Sequence, residues 1–117
     1  EQVNVILLGG RLLKESLMSV GEVAAAQADL YHPDLCFVGV YAIHPEYGMT
    51  IPYPDEVSLK RRLIENSNRV ISLVSPIKLN TVSRYRVCGI EAFTTLVTEN
   101  VPEEIAGSYR NRGLDVF

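Results

Sequence analysis

The chain has 117 residues, of which 47% are apolar and 21% charged, and its formal net charge at pH 7 is −3. This composition predicts a single globular domain with a real core and excludes a disordered chain. The acidic balance argues against broad attraction to nucleic acid or anionic lipid. No secretory pattern or bilayer-length apolar run is visible, so we expect a cytoplasmic protein.

The first half of the chain alternates apolar strands with a short helix. "VNVILLGG" predicts a buried strand over residues 3–8 that stops at two glycines. An Ala-rich helix is predicted over residues 21–30, with an apolar stripe on one side. "DLCFVGV" predicts a second buried strand over 34–40. The proline-rich stretch 44–54 is expected to be a long loop.

The second half repeats this alternation of helices and strands. A helix is predicted over residues 55–68, with Asp55 as its N-cap. The segment 75–84 is expected to be a loop because Pro76 interrupts it. A helix over 102–112 is expected to begin beside a proline and end before a glycine. The remaining predicted strands are residues 69–74, 94–98 and 114–117.

Strands that are apolar on both faces and alternate with helices predict an α/β fold with a mostly parallel sheet and helices on its faces. Ligands of open α/β sheets bind beyond the carboxyl ends of the strands. Those ends carry glycines, a histidine, a lysine and hydroxyl groups. Either these loops form a small-molecule site, or they are polar simply because they lie at the surface. The expected strand ends are residues 9–10, 41–44, 75–78 and 99–100.

The triplet Lys60, Arg61 and Arg62 resembles a basic patch, but helical geometry separates its members. Each helical residue advances about 100°, which places Lys60 and Glu56 within about 25° of the centre of the apolar arc. Arg61 and Arg62 lie about 115° or more from that centre, so we expect them to face solvent.

Glu56 and Lys60 form an i,i+4 pair inside this apolar arc. A buried ion pair costs desolvation energy unless other groups complete it. Two interpretations remain open. In the first, the pair lies where the helix emerges and Lys60 extends to water. In the second, both side chains point into the strand-end cleft and hold a polar ligand.

Three further side chains are candidate ligand contacts. Lys78 follows a predicted strand and could bind phosphate, although a surface lysine is the simpler interpretation. His44 could form hydrogen bonds or titrate, and Thr50 could donate to an oxyanion. The two cysteines, Cys36 and Cys88, are expected to be reduced core thiols. No metal-ligand spacing, nucleotide-binding glycine motif or nucleophile motif is present.

The order of these segments resembles the C-terminal effector-sensing domain of DeoR-type bacterial transcription regulators. The resemblance covers nearly the whole chain and is most specific in the block that joins a strand, an HPEYGMT-like loop, an E-V-x-x-K helix, a strand and a lysine loop. The other matching stretches are "VILLGGRL", "SLMSVGEVA" and "FTTLVTENVPEEIAGSYRNRGLDV".

The resemblance implies a Rossmann-like fold related to ribose-5-phosphate isomerases and CoA-transferases. It also implies a sensor that binds a phosphorylated sugar or related metabolite and needs no further cofactor. The implied ligand contacts are Thr50, Glu56, Lys60 and Lys78, with His44 at the pocket edge. DNA binding would belong to an N-terminal helix-turn-helix domain that these residues do not contain.

Glu1 rather than methionine begins the chain, so we expect residues 1–117 to be a single, N-terminally truncated sensing domain. Relative to the family pattern, a strand and a phosphate-binding loop are missing, and the exposed apolar sheet should cause self-association. Two other function classes remain open. One is a sugar-phosphate isomerase with Glu56 as base and Lys60 as stabiliser; the other is an oligomerisation module with a vestigial pocket.

Overall fold

The computed structural model describes residues 2–117 and contains two kinds of sheet around one main core. Its helices are α1 (Glu22–Ala28), α2 (Val57–Asn66) and α3 (Glu103–Arg110). Its strands are β1 (Arg11–Leu13), β2 (Met18–Val20), β3 (Leu35–Gly39), β4 (Ala42–His44), β5 (Gly48–Ile51), β6 (Arg69–Leu73), β7 (Tyr85–Cys88), β8 (Thr95–Val97) and β9 (Asp115–Val116). Short 3₁₀ turns occupy Pro54–Glu56, Pro76–Lys78 and Ile90–Ala92.

The central sheet is parallel, in the strand order β3-β6-β8-β9. Residues Val38, Val70 and Leu96 on one face are buried in the core. The other face is open: Phe37 is 65% exposed and Leu73 is 57% exposed. The predicted α/β class with a parallel, Rossmann-like sheet is confirmed, although parallel sheets usually have both faces covered.

A second, antiparallel sheet of order β4-β5-β7 corrects the predicted loop over 44–54. Strand β5 lies within this stretch and β4 ends at its first residue, because the burial of Ile43 and Met49 outweighs the turn-like composition around them. Gly48 has φ +74°, and an added Cβ would lie 2.1 Å from the Cys88 carbonyl oxygen. Glycine is therefore required where β5 passes β7. Strand β7 was also absent from the predicted elements.

The strand predicted over residues 3–8 is wrong: residues 2–9 form neither strand nor helix. Within residues 2–117 no strand pairs with this segment to complete its backbone hydrogen bonds. Val3, Val5 and Leu7 are each more than 80% exposed, so the apolar pattern is not buried. Regular structure begins instead with the antiparallel β1–β2 hairpin, which was not predicted. An apolar run forms a strand only where a partner strand is available.

The entry to α2 also differs from the prediction. The α-helix begins at Val57, after the 3₁₀ turn, and Asp55 makes no capping hydrogen bond. Its carboxylate instead accepts a hydrogen bond from Arg11 Nη2 at 2.8 Å, which ties strand β1 to this turn. The tertiary ion pair has therefore replaced the predicted N-cap.

The two cysteines lie half-buried against the main core, as predicted, and both are free thiols. Burial raises the pKa of Cys88 to about 11, and it also raises the pKa of Cys36. Both thiols are therefore protonated near neutral pH, which disfavours reactivity and metal binding. No helix within residues 2–117 is long and apolar enough to cross a membrane.

Tyr109 joins three parts of the fold through one buried hydroxyl. Its side chain is fully buried on α3. Its hydroxyl accepts from the Asn80 backbone N–H at 3.0 Å and lies 3.2 Å from the Ile43 carbonyl oxygen and 2.9 Å from Asn80 Oδ1. The hydroxyl thus holds α3, β4 and the loop after β6 together.

We expect Tyr109→Phe to lower the free energy of unfolding by about 1–3 kcal/mol, because it leaves buried polar groups without a partner. Urea denaturation monitored by circular dichroism measures this loss. Tyr31→Phe is the matched control, because Tyr31 is partly exposed and forms no side-chain hydrogen bond within residues 2–117. Equal stability of the two variants would contradict this role for the Tyr109 hydroxyl.

Candidate functional site

A cleft of about 240 Å³ opens at the carboxyl end of β3, where the sheet topology predicts a ligand site. Gly39, Val40 and Tyr41 form one wall as the chain leaves β3. The start of α2, the turn after β6 and the β1–β2 turn form the remaining walls. We call this the strand-end cleft; its other lining residues are Ser16, Ile51, Pro52, Tyr53, Glu56, Lys60 and Lys78.

Glu56 is the most unusual group in this cleft. The residue is only 4% exposed, and its Oε1 lies 3.6 Å from Lys60 Nζ. Its Oε2 is buried and has no hydrogen-bond partner among residues 2–117. A buried carboxylate oxygen without a donor carries a desolvation cost. The oxygen therefore has unused acceptor capacity among the described residues, and a ligand donor would reach it only if the side chains that cover it move aside.

Lys60 and Lys78 bring two ammonium groups to the same cleft. The Lys60 side chain is 17% exposed, so helical geometry placed both members of the Glu56–Lys60 pair correctly on the inward side of α2. Lys78 Nζ donates to the Val40 carbonyl oxygen at 2.9 Å and lies 6.0 Å from the centre of the Tyr41 ring. A neutral carbonyl leaves the lysine charge uncompensated, so this ammonium remains free to attract an anion.

Arg61 and Arg62 do not line the cleft and lie towards solvent, as predicted, with Arg61 exposed and Arg62 partly exposed, but both also make specific contacts. Arg61 donates from Nε and Nη2 to the carbonyl oxygens of Val87 and Arg86, at 2.8 and 2.9 Å. Arg62 Nη1 lies 3.3 Å from Asp29 Oδ2 on α1. The two arginines therefore tie α2 to β7 and to α1. Periodicity could indicate their outward direction but could not reveal these partners.

The other two predicted contacts lie outside the strand-end cleft. Thr50 is 4% exposed, and its Oγ1 accepts a hydrogen bond from the Ser83 backbone N–H at 2.7 Å. His44 lines a different cleft, where its Nδ1 accepts from the Glu46 backbone N–H at 3.0 Å. The structure thus brings Glu56, Lys60 and Lys78 together and separates Thr50 and His44 from them. Ligand binding by any of the five stays a prediction.

Sequence reasoning missed Ser16 and Tyr53 as cleft residues. Tyr41 lies in the strand end predicted at residues 41–44, but it was not singled out as a ligand contact. Tyr53 precedes the α2 entry, whereas Ser16 belongs to a hairpin turn that carries no recognisable motif. The two tyrosines give the cleft aromatic walls beside its charged groups.

The chemistry of the cleft suits a small polar ligand. Two ammonium groups can bind an anionic group, and a carboxylate such as that of Glu56 can accept a hydrogen bond from a hydroxyl. Within the described part of the chain, no cluster of three or more histidine, cysteine, aspartate or glutamate side chains could hold a metal ion.

Comparison with known proteins gives a consistent result. The family model described as the DeoR C terminal sensor domain matches residues 1–100. The HTH-type transcriptional repressor GlcR of Bacillus subtilis is 31% identical, over 89% of this chain and 40% of its own length. A putative aga operon transcriptional repressor of Escherichia coli O157:H7 is 29% identical, over 100% of this chain and 44% of its own length. The HTH-type transcriptional regulator GolR of Listeria innocua is 28% identical, over 97% of this chain and 45% of its own length.

The chain therefore spans less than half the length of these relatives. Their names describe transcriptional repressors and regulators. The family match and the α/β architecture agree on the type of domain. This chain belongs to the DeoR C-terminal sensor domain family, the effector-sensing part of transcriptional regulators.

Proposed function

We propose that this domain senses a phosphorylated sugar or a related phosphorylated metabolite in the strand-end cleft. The observation that carries the proposal is the buried Glu56 Oε2, which lies on the carboxylate beside Lys60 and has no hydrogen-bond donor among residues 2–117. A ligand hydroxyl would donate to this oxygen and offset the cost of its burial. The carboxylate alone would repel a phosphate. The adjacent lysines are therefore needed if one ligand is to bring its hydroxyl to Glu56 and its phosphoryl group into the same cleft.

In this proposal, Lys78 and Lys60 bind the phosphoryl group together. Lys78 would exchange its neutral partner, the Val40 carbonyl oxygen, for phosphate oxygens that form stronger charge-assisted hydrogen bonds. Tyr41 and Tyr53 would cover the apolar side of the sugar ring. Thr50 remains a predicted contact, although it does not line the strand-end cleft and its hydroxyl already accepts a hydrogen bond from Ser83.

We further propose that the bound effector controls DNA binding by a separate helix-turn-helix domain of a cytoplasmic regulator. The named repressor relatives support this role, and each is more than twice as long as its match to this chain. Ligand binding can alter operator affinity only if the effector binds one conformation more tightly than another. Helix α2 is suited to report such a difference, because it contacts the cleft, β7 and α1.

Homo-oligomerisation is also part of the proposal. The open face of the parallel sheet carries Leu35, Phe37 and Leu73, which are 46–65% exposed. A contiguous apolar surface of this kind favours association with a second copy of the chain.

The first prediction of the proposed function concerns the effector. In thermal-shift assays, one member of a panel of pentose and hexose phosphates should stabilise the protein by about 2.7 kcal/mol at a hundredfold excess over Kd. The unphosphorylated sugars and inorganic phosphate should give smaller shifts. Lys60→Ala and Glu56→Gln should each remove most of the stabilisation, because each deletes one half of the proposed recognition.

Arg69→Ala is the matched control for Lys60→Ala. It also removes one positive charge, but Arg69 lies at the amino end of β6, away from the strand-end cleft. This variant should keep the full thermal shift. The proposed site is wrong if no sugar phosphate stabilises the wild-type protein more than it stabilises Lys60→Ala.

The second prediction concerns assembly. Analytical ultracentrifugation of the 117-residue polypeptide at micromolar concentration should show dimers or larger species. Phe37→Lys should shift the distribution towards monomer, because it places a charge on the open sheet face. Leu30→Lys changes an exposed leucine at the end of α1 and should leave the distribution unchanged. A monomeric wild-type polypeptide would refute the proposed self-association.

A further inference from the structure

A second polar cleft, of about 380 Å³, lies where the β4–β5 turn meets the carboxyl end of α3. It shares no lining residue with the strand-end cleft. We call it the donor cleft, because its side chains present more hydrogen-bond donors than acceptors. The polar residues that line it are His44, Glu46, Asn80, Ser108, Asn111 and Arg112.

His44 presents a donor because its other ring nitrogen is already engaged. Nδ1 accepts the hydrogen bond from the Glu46 backbone N–H at 3.0 Å. In the neutral ring, the proton is therefore on Nε2. The ring also packs against Tyr47, with 4.8 Å between the ring centroids, which fixes its orientation. His44 thus offers the cleft an N–H group.

Asn80 presents its amide NH₂ group for a similar reason. Its Oδ1 faces the buried Tyr109 hydroxyl at 2.9 Å, and its backbone N–H donates to the same hydroxyl at 3.0 Å. Asn80 is held in the left-handed region, with φ +59°, at the end of this loop. Because Tyr109 is fully buried, the position of the Asn80 amide is fixed by the core.

Arg112 supplies a positive charge that forms no ion pair with any of residues 2–117. The neighbouring Asn111 adds a second side-chain amide to the cleft wall. The α3 carboxyl end does not need this charge to satisfy its carbonyls. The backbone N–H groups of Arg112 and Gly113 already donate to the carbonyl oxygens of Tyr109 and Arg110, at 3.0 and 2.9 Å.

We propose that the donor cleft is a second ligand site, which binds a small oxyanion through a carboxylate or phosphoryl group. Arg112 would bind two oxygens of the anion with its guanidinium, which matches the planar geometry of such groups. The His44 ring N–H and the amides of Asn80 and Asn111 would complete the coordination. The sensor domain would then respond to an anion that does not enter the strand-end cleft.

Glu46 provides a sharp test of this charge assignment. It is exposed at the rim, and it is the only carboxylate among the residues that line the donor cleft. An anionic ligand is repelled by Glu46, whereas a cationic or zwitterionic ligand is attracted. The effect of neutralising Glu46 therefore has opposite signs for these classes of ligand.

The experiment is a titration of ¹⁵N-labelled protein with inorganic phosphate and, separately, with citrate, at constant ionic strength. The side-chain amides of Asn80 and Asn111 and the backbone amides of residues 44–46 should shift saturably. Arg112→Gln should raise Kd about tenfold, since a charge-assisted hydrogen bond is lost. Glu46→Gln should lower Kd about twofold, as expected for an exposed charge. The tighter of the two probes identifies a phosphoryl or a carboxylate ligand.

Lys60→Ala serves as the control for the strand-end cleft and should leave these shifts and Kd unchanged. Thermal melts of both cleft variants should match the wild type, because Arg112 and Glu46 are exposed. Shifts that do not saturate with either probe, or that map away from His44 and Asn80, would overturn the proposal. It would equally be overturned if Glu46→Gln weakened anion binding. Neither outcome would affect the proposed sugar-phosphate site.

Discussion

The buried Glu56 carboxylate is the constraint around which this domain is organised. It lies at the junction of a 3₁₀ turn and α2, almost inaccessible to solvent, with one oxygen near Lys60 and the other without a hydrogen-bond partner in the described part of the chain. Burying an ion pair with an unsatisfied oxygen gives little stability and often costs some. Such an arrangement is understandable if a bound molecule completes it. The position of the cleft at the carboxyl end of β3 is consistent with this explanation.

Helix α2 connects that carboxylate to the rest of the domain. Lys60, Arg61 and Arg62 follow one another in the sequence, yet they reach the cleft, β7 and α1 respectively. A shift of α2 on effector binding would therefore strain contacts on two other sides. Packed elements tend to move between discrete positions rather than deform gradually. A movement of α2 would therefore transmit the effect of ligand binding from the cleft to β7 and α1.

The sequence predicted the helical and parallel-sheet elements well because their apolar periodicity is strong, and the same periodicity placed Glu56 and Lys60 on the inward side of α2. The sequence-based prediction failed where contacts with distant residues decide the structure. Residues 3–8 have strand composition without a neighbouring strand, and β4 and β5 form beside and within a proline-rich stretch because Ile43 and Met49 pack into the core. His44 follows β3 closely in sequence, but the β4–β5 hairpin carries it to another cleft, a displacement that no local pattern encodes.

The most direct test of the central claim is the ligand-free stability of the double variant Glu56→Gln, Lys60→Met. If the pair is kept for ligand recognition, removing both charges should leave the free energy of unfolding unchanged or raise it, whereas Lys60→Met alone should lower it by about 3 kcal/mol because a buried charge loses its partner. Urea denaturation of the wild type, the double variant and the two single variants, Lys60→Met and Glu56→Gln, measures this cycle. A loss of more than about 2 kcal/mol in the double variant would show that the pair is structural and would contradict the account.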